Sequence, residues 1–277
     1  MTDLDQVRNF WENNPLFSGE PAYKPGTEAF FKEHRSVYIT DCFIGDIDVR
    51  FLRPPRRDGQ KMKILELGCG IGFWLKELAL RGMHNLNAAD LTQTELDITA
   101  KRLLAYGVSA EYSQQNAEKL TFEDASFDHV NCQSVIHHTP NTDGTIAEMA
   151  RVLKPGGTAG ISVYYRNSIL RALPYLCWLG WPLAKLGGGL TGRGRERMFL
   201  EKDVDQIVQL YDGAENPIGK NYSKHQFIEI LQQHFNVEET YLNFFPPHAL
   251  PFKVSVALHR WLDKNLSFMI YASVRKP

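Results

Sequence analysis

The run Lys63-Ile64-Leu65-Glu66-Leu67-Gly68-Cys69-Gly70-Ile71-Gly72-Phe73-Trp74-Leu75 constrains the fold of this chain more than any other stretch. A short apolar segment ends in an acidic residue, three glycines follow at alternate positions, and a helix-forming segment runs from Phe73 to Arg81. The pattern predicts a buried parallel strand over 62–67 that feeds a tight turn into a helix. Glycines in such a turn let backbone amides approach a ligand that a side chain would exclude. A dinucleotide fingerprint, G-x-G-x-x-G, would need glycine at position 73, where Phe73 stands. The pattern here is E-x-G-x-G-x-G, which disfavours a nicotinamide enzyme.

Strand and helix patterns alternate beyond that turn. A second strand is predicted from Leu86 to Asp90, then a helix from Thr92 to Tyr106. Thr92 and Glu95 have the spacing of a capping box, and Gly107 stops the helix. Strands follow near Ala110 to Gln114 and from Phe127 to Gln133, then a helix from Asp143 to Leu153. The turn Lys154-Pro155-Gly156-Gly157 leads into a fifth strand, Thr158 to Tyr164. The tail supplies a helix from Ser223 to His234 and strands from Val237 to Phe245 and Leu266 to Val274. Alternation of this kind means a mainly parallel sheet with its ligand crevice at the strand C-termini.

Composition narrows the function classes. A net charge of −1 gives no global field to recruit nucleic acid. Cys42, Cys69, Cys132 and Cys177 are widely separated and form no C-x-x-C pair, so reduced thiols in a cytoplasm are expected, with no metal site. No basic-then-apolar leader opens the chain, and no apolar run reaches about 18 residues, the length of a membrane span.

The glycine run, together with Ser126-Phe127-Asp128-His129-Val130 and Arg151-Val152-Leu153-Lys154-Pro155-Gly156-Gly157, resembles class I S-adenosylmethionine-dependent methyltransferases. The resemblance is greatest to the subgroup of ubiquinone and menaquinone biosynthesis and other small-molecule methyltransferases, and it covers about residues 60–165 and the final strands. It implies an α/β fold with a Rossmann-like seven-stranded sheet, mostly parallel with the last strand antiparallel. It also implies S-adenosylmethionine as co-substrate, held by Glu66, Gly68, Gly70, Gly72, Asp90, Leu91, Asn116, Ala117, Glu118 and Gln133. Asp90, 22 residues after Gly68, can accept both ribose hydroxyls or cap the following helix. Glu66 either meets the amino-acid portion of the donor or caps the glycine turn. The division implied is an N-terminal lid (1–60), a donor-binding core (61–166), an inserted helical cap (167–222) and the end of the sheet with an aromatic insertion (223–277).

Methyl transfer from a sulfonium needs in-line placement of the acceptor and, for a hydroxyl or activated carbon, a general base. His137 and His138, just after the fourth strand, are the candidate bases, His138 first; the alternative is a packing pair. Tyr164 and Tyr165 either orient an acceptor or belong to the core. Trp11, Phe17 and Tyr23 suit a lid or simple packing on the sheet. The insertion carries an apolar, aromatic run over 169–183 and a glycine-rich basic run over 187–197. From 166 to 197 six basic residues stand against Glu196 alone. A cap over a bulky, apolar or anionic small-molecule acceptor, contact with a membrane surface, and a homodimer face all fit that composition. A catalytically silent binding module of the same fold is the alternative to an enzyme.

Overall fold

The computed structural model describes residues 3–17, 22–44, 47–52, 62–172, 175, 195, 200–245, 247 and 253–277. The central strands are β1 (Lys63–Leu67), β2 (Asn85–Asp90), β3 (Glu111–Gln114), β4 (Phe127–Gln133) and β5 (Leu153–Tyr165). β6 (Asn221–Tyr222), β7 (Asn236–Asn243) and β8 (Met269–Arg275) complete the sheet. Its order is β3-β2-β1-β4-β5-β8-β7, and β6 lies beside the end of β5. Pairings are parallel except those of β8, which runs antiparallel to both β5 and β7. The expected seven-stranded sheet is therefore present with one addition. β6 is only two residues long, too short to carry any sequence period.

Alternation along the strands divides the core into two layers. On one face, Ile64, Leu86, Ala88, Tyr164 and Tyr271 pack with Leu75, Leu78 and Leu103 of helices α3 (Phe73–Leu80) and α4 (Gln93–Ala105). On the other, Leu65, Leu67, Val130, Cys132, Ile161 and Ala272 pack with Ile146 and Met149 of α5 (Thr142–Val152). That second layer also takes Phe227 and Leu231 of helix α8 (Lys224–Gln232). Burying both faces is what a parallel sheet requires, and it leaves the strand C-termini as the place for a ligand.

Two local expectations change. Thr92 occupies the N-cap position of α4, but its hydroxyl does not cap the helix. It donates to Asp90 Oδ1 at 3.0 Å, a charge-assisted bond to a neighbouring buried carboxylate. The helix is capped from outside: Glu12 of α1 (Asp3–Asn13) accepts from the amides of Gln93 and Thr94 at 3.0 and 2.9 Å and from the Thr94 hydroxyl at 2.6 Å. Secondly, Lys154 to Gly157 does not precede β5 but interrupts it. Leu153 already pairs with Phe127, and Thr158 resumes the ladder opposite His129.

The N-terminal segment forms α1, α2 (Glu28–Val37) and a π turn, Tyr38–Cys42. Of the inserted cap, helices α6 (Ser168–Ala172) and α7 (Val204–Asp212) are described. Most of the aromatic run, Gly187 to Gly189, Arg193 and Arg197 lie outside the described residues.

Candidate active site

β1 ends at Leu67, and the chain turns through Gly68 and Gly70, both with left-handed φ (+71° and +51°). The two have different reasons to be glycine. A Cβ on Gly68 would lie 2.2 Å from Val135 Cγ2, so packing excludes a side chain there. A Cβ on Gly70 would meet only Leu16 Cδ2 and Glu95 Oε1, at 3.7 and 3.9 Å. Gly70 therefore faces open space, and its amide donates to Asp90 Oδ2 at 3.0 Å. Gly72 begins α3 against Thr99, away from the cavity.

A cavity of about 820 Å³, counting the space open to solvent, lies over this turn. Gly68, Gly70, Asp90, Leu91, Asn116, Ala117, Gln133 and His138 line it, with Leu4, Val7, Trp11 and Leu16 of the N-terminal segment on the opposite side. Eight of the twelve expected site residues thus meet at one place. Asp90 is buried, and besides the Gly70 amide it takes the Thr92 amide at 3.0 Å on Oδ1. Burial raises its carboxyl above the usual range, opposed by the bonds from Thr92 and Gly70. Glu95 sits beside it, and burial followed by the Asp90 charge push its carboxyl up much further. Glu95 Oε1 accepts from the Leu16 amide at 2.9 Å, tying the lid to the cradle. Asn116 turns its own oxygen to the Glu118 amide at 3.0 Å.

Glu66, His137 and Glu118 stand apart from the cavity. Glu118 accepts from the Asn141 amide at 2.7 Å, outside the pocket. Glu66 is buried behind the turn, and both its oxygens accept from Asn131 Nδ2, at 3.0 and 2.8 Å. Asn131 Oδ1 in turn accepts from Gln133 Nε2 at 2.8 Å. Both Glu66 oxygens take the Asn131 amide hydrogens, so the chain of amides runs from Gln133 through Asn131 to Glu66 and leaves Gln133 Oε1 turned outward. That oxygen is buried, has no hydrogen-bond partner among the described residues, and belongs to a residue lining the cavity. Glu66 thus acts on the cavity through Asn131, a residue the sequence reading passed over. Burial raises the Glu66 carboxyl well above its ordinary range, opposed by the Asn131 bond.

A second cavity, about 1310 Å³ including open space, shares Trp11, Leu16, Gly68, Gly70, Gln133, Ser134 and His138 with the first. Its other walls are largely aromatic: Tyr38, Phe43, Phe73, Trp74, Tyr211 and Phe244 among them. Of the expected lid aromatics, Trp11 and Phe17 face it, whereas Tyr23 is exposed. Tyr164 also faces it, and Tyr165 packs on the other core layer. Ser134 joins the two spaces in a left-handed backbone (φ +59°), a strained conformation for a non-glycine residue and one that gathers at functional sites.

His138 stands on the wall common to both cavities. Its Nδ1 lies 2.7 Å from the Ile218 carbonyl, which fixes a hydrogen on that nitrogen and leaves Nε2 as the basic atom. Nε2 is 3.5 Å from Asp212 Oδ2, and Asp212 accepts from the Tyr164 hydroxyl at 2.8 and 2.9 Å. Burial, then the Asp212 charge, push the Tyr164 phenol well up, so it remains a donor. Asp212 comes from α7 of the insertion, 74 residues from His138, and no local pattern links the two. His137 is fully buried, and its ring nitrogens have no hydrogen-bond partner among the described residues. Burial, then the neighbouring His138 and Lys220, push it well below the ordinary histidine value, which suits a packing residue against Tyr164.

The residues lining the first cavity fit a sulfonium nucleoside. Asp90 offers a carboxylate for ribose hydroxyls, Asn116 and Ala117 follow β3 where an adenine would lie, and the orphan Gln133 oxygen suits an ammonium group. Among the described residues no group of three or more His, Cys, Asp or Glu could hold a metal ion, and no helix is long and apolar enough to cross a membrane.

The fold is α/β and Rossmann-like, of the kind seen in S-adenosylmethionine-dependent methyltransferases. Residues 65–161 match the family described as a methyltransferase domain. The chain is 34% identical over 167 residues to a ubiquinone biosynthesis O-methyltransferase from Hahella chejuensis, covering 60% of this chain and 63% of that relative. It spans less than two thirds of the length of the first such relatives it matches. Among solved structures it resembles an S-adenosylmethionine-dependent methyltransferase from Mesorhizobium loti, with a TM-score of 0.53 and 17% identity over 79% of this chain and 93% of that one. It also resembles the cyclase SpnF, with a TM-score of 0.56 and 16% identity over 100% and 97% of the two chains.

Proposed function

We propose that this protein transfers a methyl group from S-adenosylmethionine in the first cavity to an oxygen of an apolar small molecule in the second. The observation that carries this reading is His138, a base on the one wall that both cavities share. When bound, the donor supplies an electrophilic methyl on a good leaving group. Asp90, Asn116, Ala117 and the outward Gln133 oxygen hold and orient it, and Trp11 and Leu16 exclude water from above. His138 Nε2 takes the proton of the acceptor hydroxyl, and the imidazolium so formed finds Asp212 Oδ2 3.5 Å away. The aromatic walls favour a bulky apolar acceptor, and the O-methyltransferase relatives support oxygen as the accepting atom. The fold alone does not choose the chemistry, as a cyclase shares it; the cavity residues and His138 support methyl transfer.

We also propose the division into lid (1–60), core (61–166), cap (167–222) and end of the sheet (223–277), and a cytoplasmic location, which free buried Cys69 and Cys132 suit. The apolar insertion is proposed to meet a membrane surface or a second copy of the chain, and light scattering with and without vesicles separates these. Incubating the protein and methyl-labelled donor with a cell extract tests the main reading. Label in an extractable apolar product, lost with His138→Ala at unchanged donor affinity, is the expected result. Full activity in that variant removes His138 from the chemistry.

A further inference from the structure

Helix α9 (Val256–Asn265) is amphipathic in an unusual sense. Its inner face is the polar one: His259 and Asp263 are buried, and both hold the chain at Phe245. Phe245 donates its amide to Asp263 Oδ1 at 2.6 Å, and the His259 ring meets the Phe245 carbonyl at 2.9 Å. Only Leu262 is buried between them. The outer side carries Leu258 and Trp261, exposed by 40 and 55%, and Val256 is exposed by 55% at the start of the helix. With them stand Arg260 and Lys264, also exposed, and Lys253 just ahead of the helix. At 100° per residue, Trp261 points away from the buried side, with Lys264 and then Arg260 to one side of it and Leu258 to the other. α6 extends the same pattern. Asn167 Nδ2 donates to the Leu266 and Ser267 carbonyls at 3.2 and 2.9 Å, fixing α6 beside the end of α9, and Ile169 and Arg171 are exposed. Neither helix exposes an acid, since Asp263 is buried. The acids of adjacent β7, Glu238 and Glu239, pair with Arg275 and Arg50.

We propose that α9 and α6 form an interfacial surface that seats the protein on a bilayer containing anionic phospholipid. The proposal takes the membrane alternative offered for the apolar insertion, to which α6 belongs, and adds α9 as the rest of the surface. Four basic residues around four exposed apolar ones match anionic headgroups above an acyl boundary. A tryptophan ring settles at headgroup depth, and lysine and arginine stems lie along apolar surface while their charges stay wet. A second copy of the chain is the poorer occupant, because a two-fold contact would set Arg260 and Lys264 against the same residues of the other copy. The surface also adjoins the chemistry. Phe244, next to the residue that α9 holds, lines the aromatic cavity, so an apolar acceptor leaving the bilayer would arrive at its mouth.

Flotation of the full chain with vesicles of phosphatidylcholine and phosphatidylglycerol (3:1), and with phosphatidylcholine alone, tests this. Binding to the anionic vesicles only, weakened by salt, is the expected result. Each basic residue at an anionic surface is worth about fivefold in partitioning. Arg260→Glu with Lys264→Glu should therefore lower binding by at least about 25-fold, and Trp261→Ala should also weaken it. Unchanged calorimetric binding of S-adenosylhomocysteine by each variant shows the fold and donor site intact. If wild type floats and the charge-reversed variant floats equally, membrane contact stands and this surface is wrong. If wild type does not float on anionic vesicles in low salt, both are wrong. A Trp261-dependent dimer without vesicle binding would assign the surface to a second copy and overturn the proposal.

Discussion

Replacing Glu66 with glutamine should change how stability depends on pH more than stability itself. Glu66 is fully buried, and its carboxyl is raised well above the ordinary range because burial penalises the charged form, with Asn131 as partial compensation. A carboxyl whose folded pKa is raised stabilises the fold fully below its unfolded pKa, about 4.3. That contribution is then lost as pH rises toward the folded value. One proton gives a slope of at most about 1.4 kcal/mol per pH unit. For a chain of this size that is roughly 3–5 °C in Tm per unit. Glutamine keeps the shape but has no proton to lose. Asp90, Glu95 and the buried histidines titrate alike in both proteins, so the difference between the two isolates Glu66. Thermal unfolding measured from about pH 4.5 upward should show wild type losing Tm relative to Glu66→Gln as pH rises. Parallel curves would mean that Glu66 is not held in the environment described here, and the directional amide chain through Asn131 to Gln133 would lose its anchor.

Three further outcomes follow from the cradle and its lid. Gly68→Ala should lose stability by about 1–3 kcal/mol through overpacking on Val135 and regain part of it with Val135→Ala, whereas Gly70→Ala should stay folded and lose donor affinity; denaturant melts and calorimetry separate these effects. Glu12→Ala removes the cap on α4 and should cost about 1 kcal/mol, together with weaker donor binding and faster proteolysis of the N-terminal segment; equal proteolysis would detach the lid from this contact. Asp212→Asn should lower turnover about 10-fold or more, the loss of a charge-assisted partner for an imidazolium, with donor affinity unchanged, and His137→Ala should chiefly lower stability.

The parts of this molecule that rest on short-range pattern were legible in the sequence. The glycine turn and the seven principal strands are each set by period and position, and the family resemblance is what points to Asp90, Leu91, Asn116, Ala117 and Gln133, which line the first cavity. What escaped depends on pairings across the fold. Thr92 with Glu95 has the spacing of a capping box, yet Asp90 captures the threonine and Glu12 supplies the cap from 81 residues away. Sequence position leaves Glu66 as either a donor ligand or a buried carboxylate at the glycine turn, and only the pairing of β1 with β4 turns it to Asn131. Asp212 meets His138 only because α7 folds back over β5. Ser134 carries no signal at all, since its left-handed backbone is visible only in three dimensions. The paired histidines show the general limit: adjacent residues point apart, and only the fold decides that His138 faces the cavities and His137 the core.

What the first cavity binds decides most directly whether this protein uses a sulfonium methyl donor. Isothermal calorimetry of the purified chain against S-adenosylmethionine, S-adenosylhomocysteine and NAD reads this in one experiment. The result expected is one site per chain for the first two ligands, none for NAD, and loss of both in Gly70→Val, whose side chain would enter the open space over the turn. Heat from NAD with neither sulfur ligand binding would contradict the account at its centre.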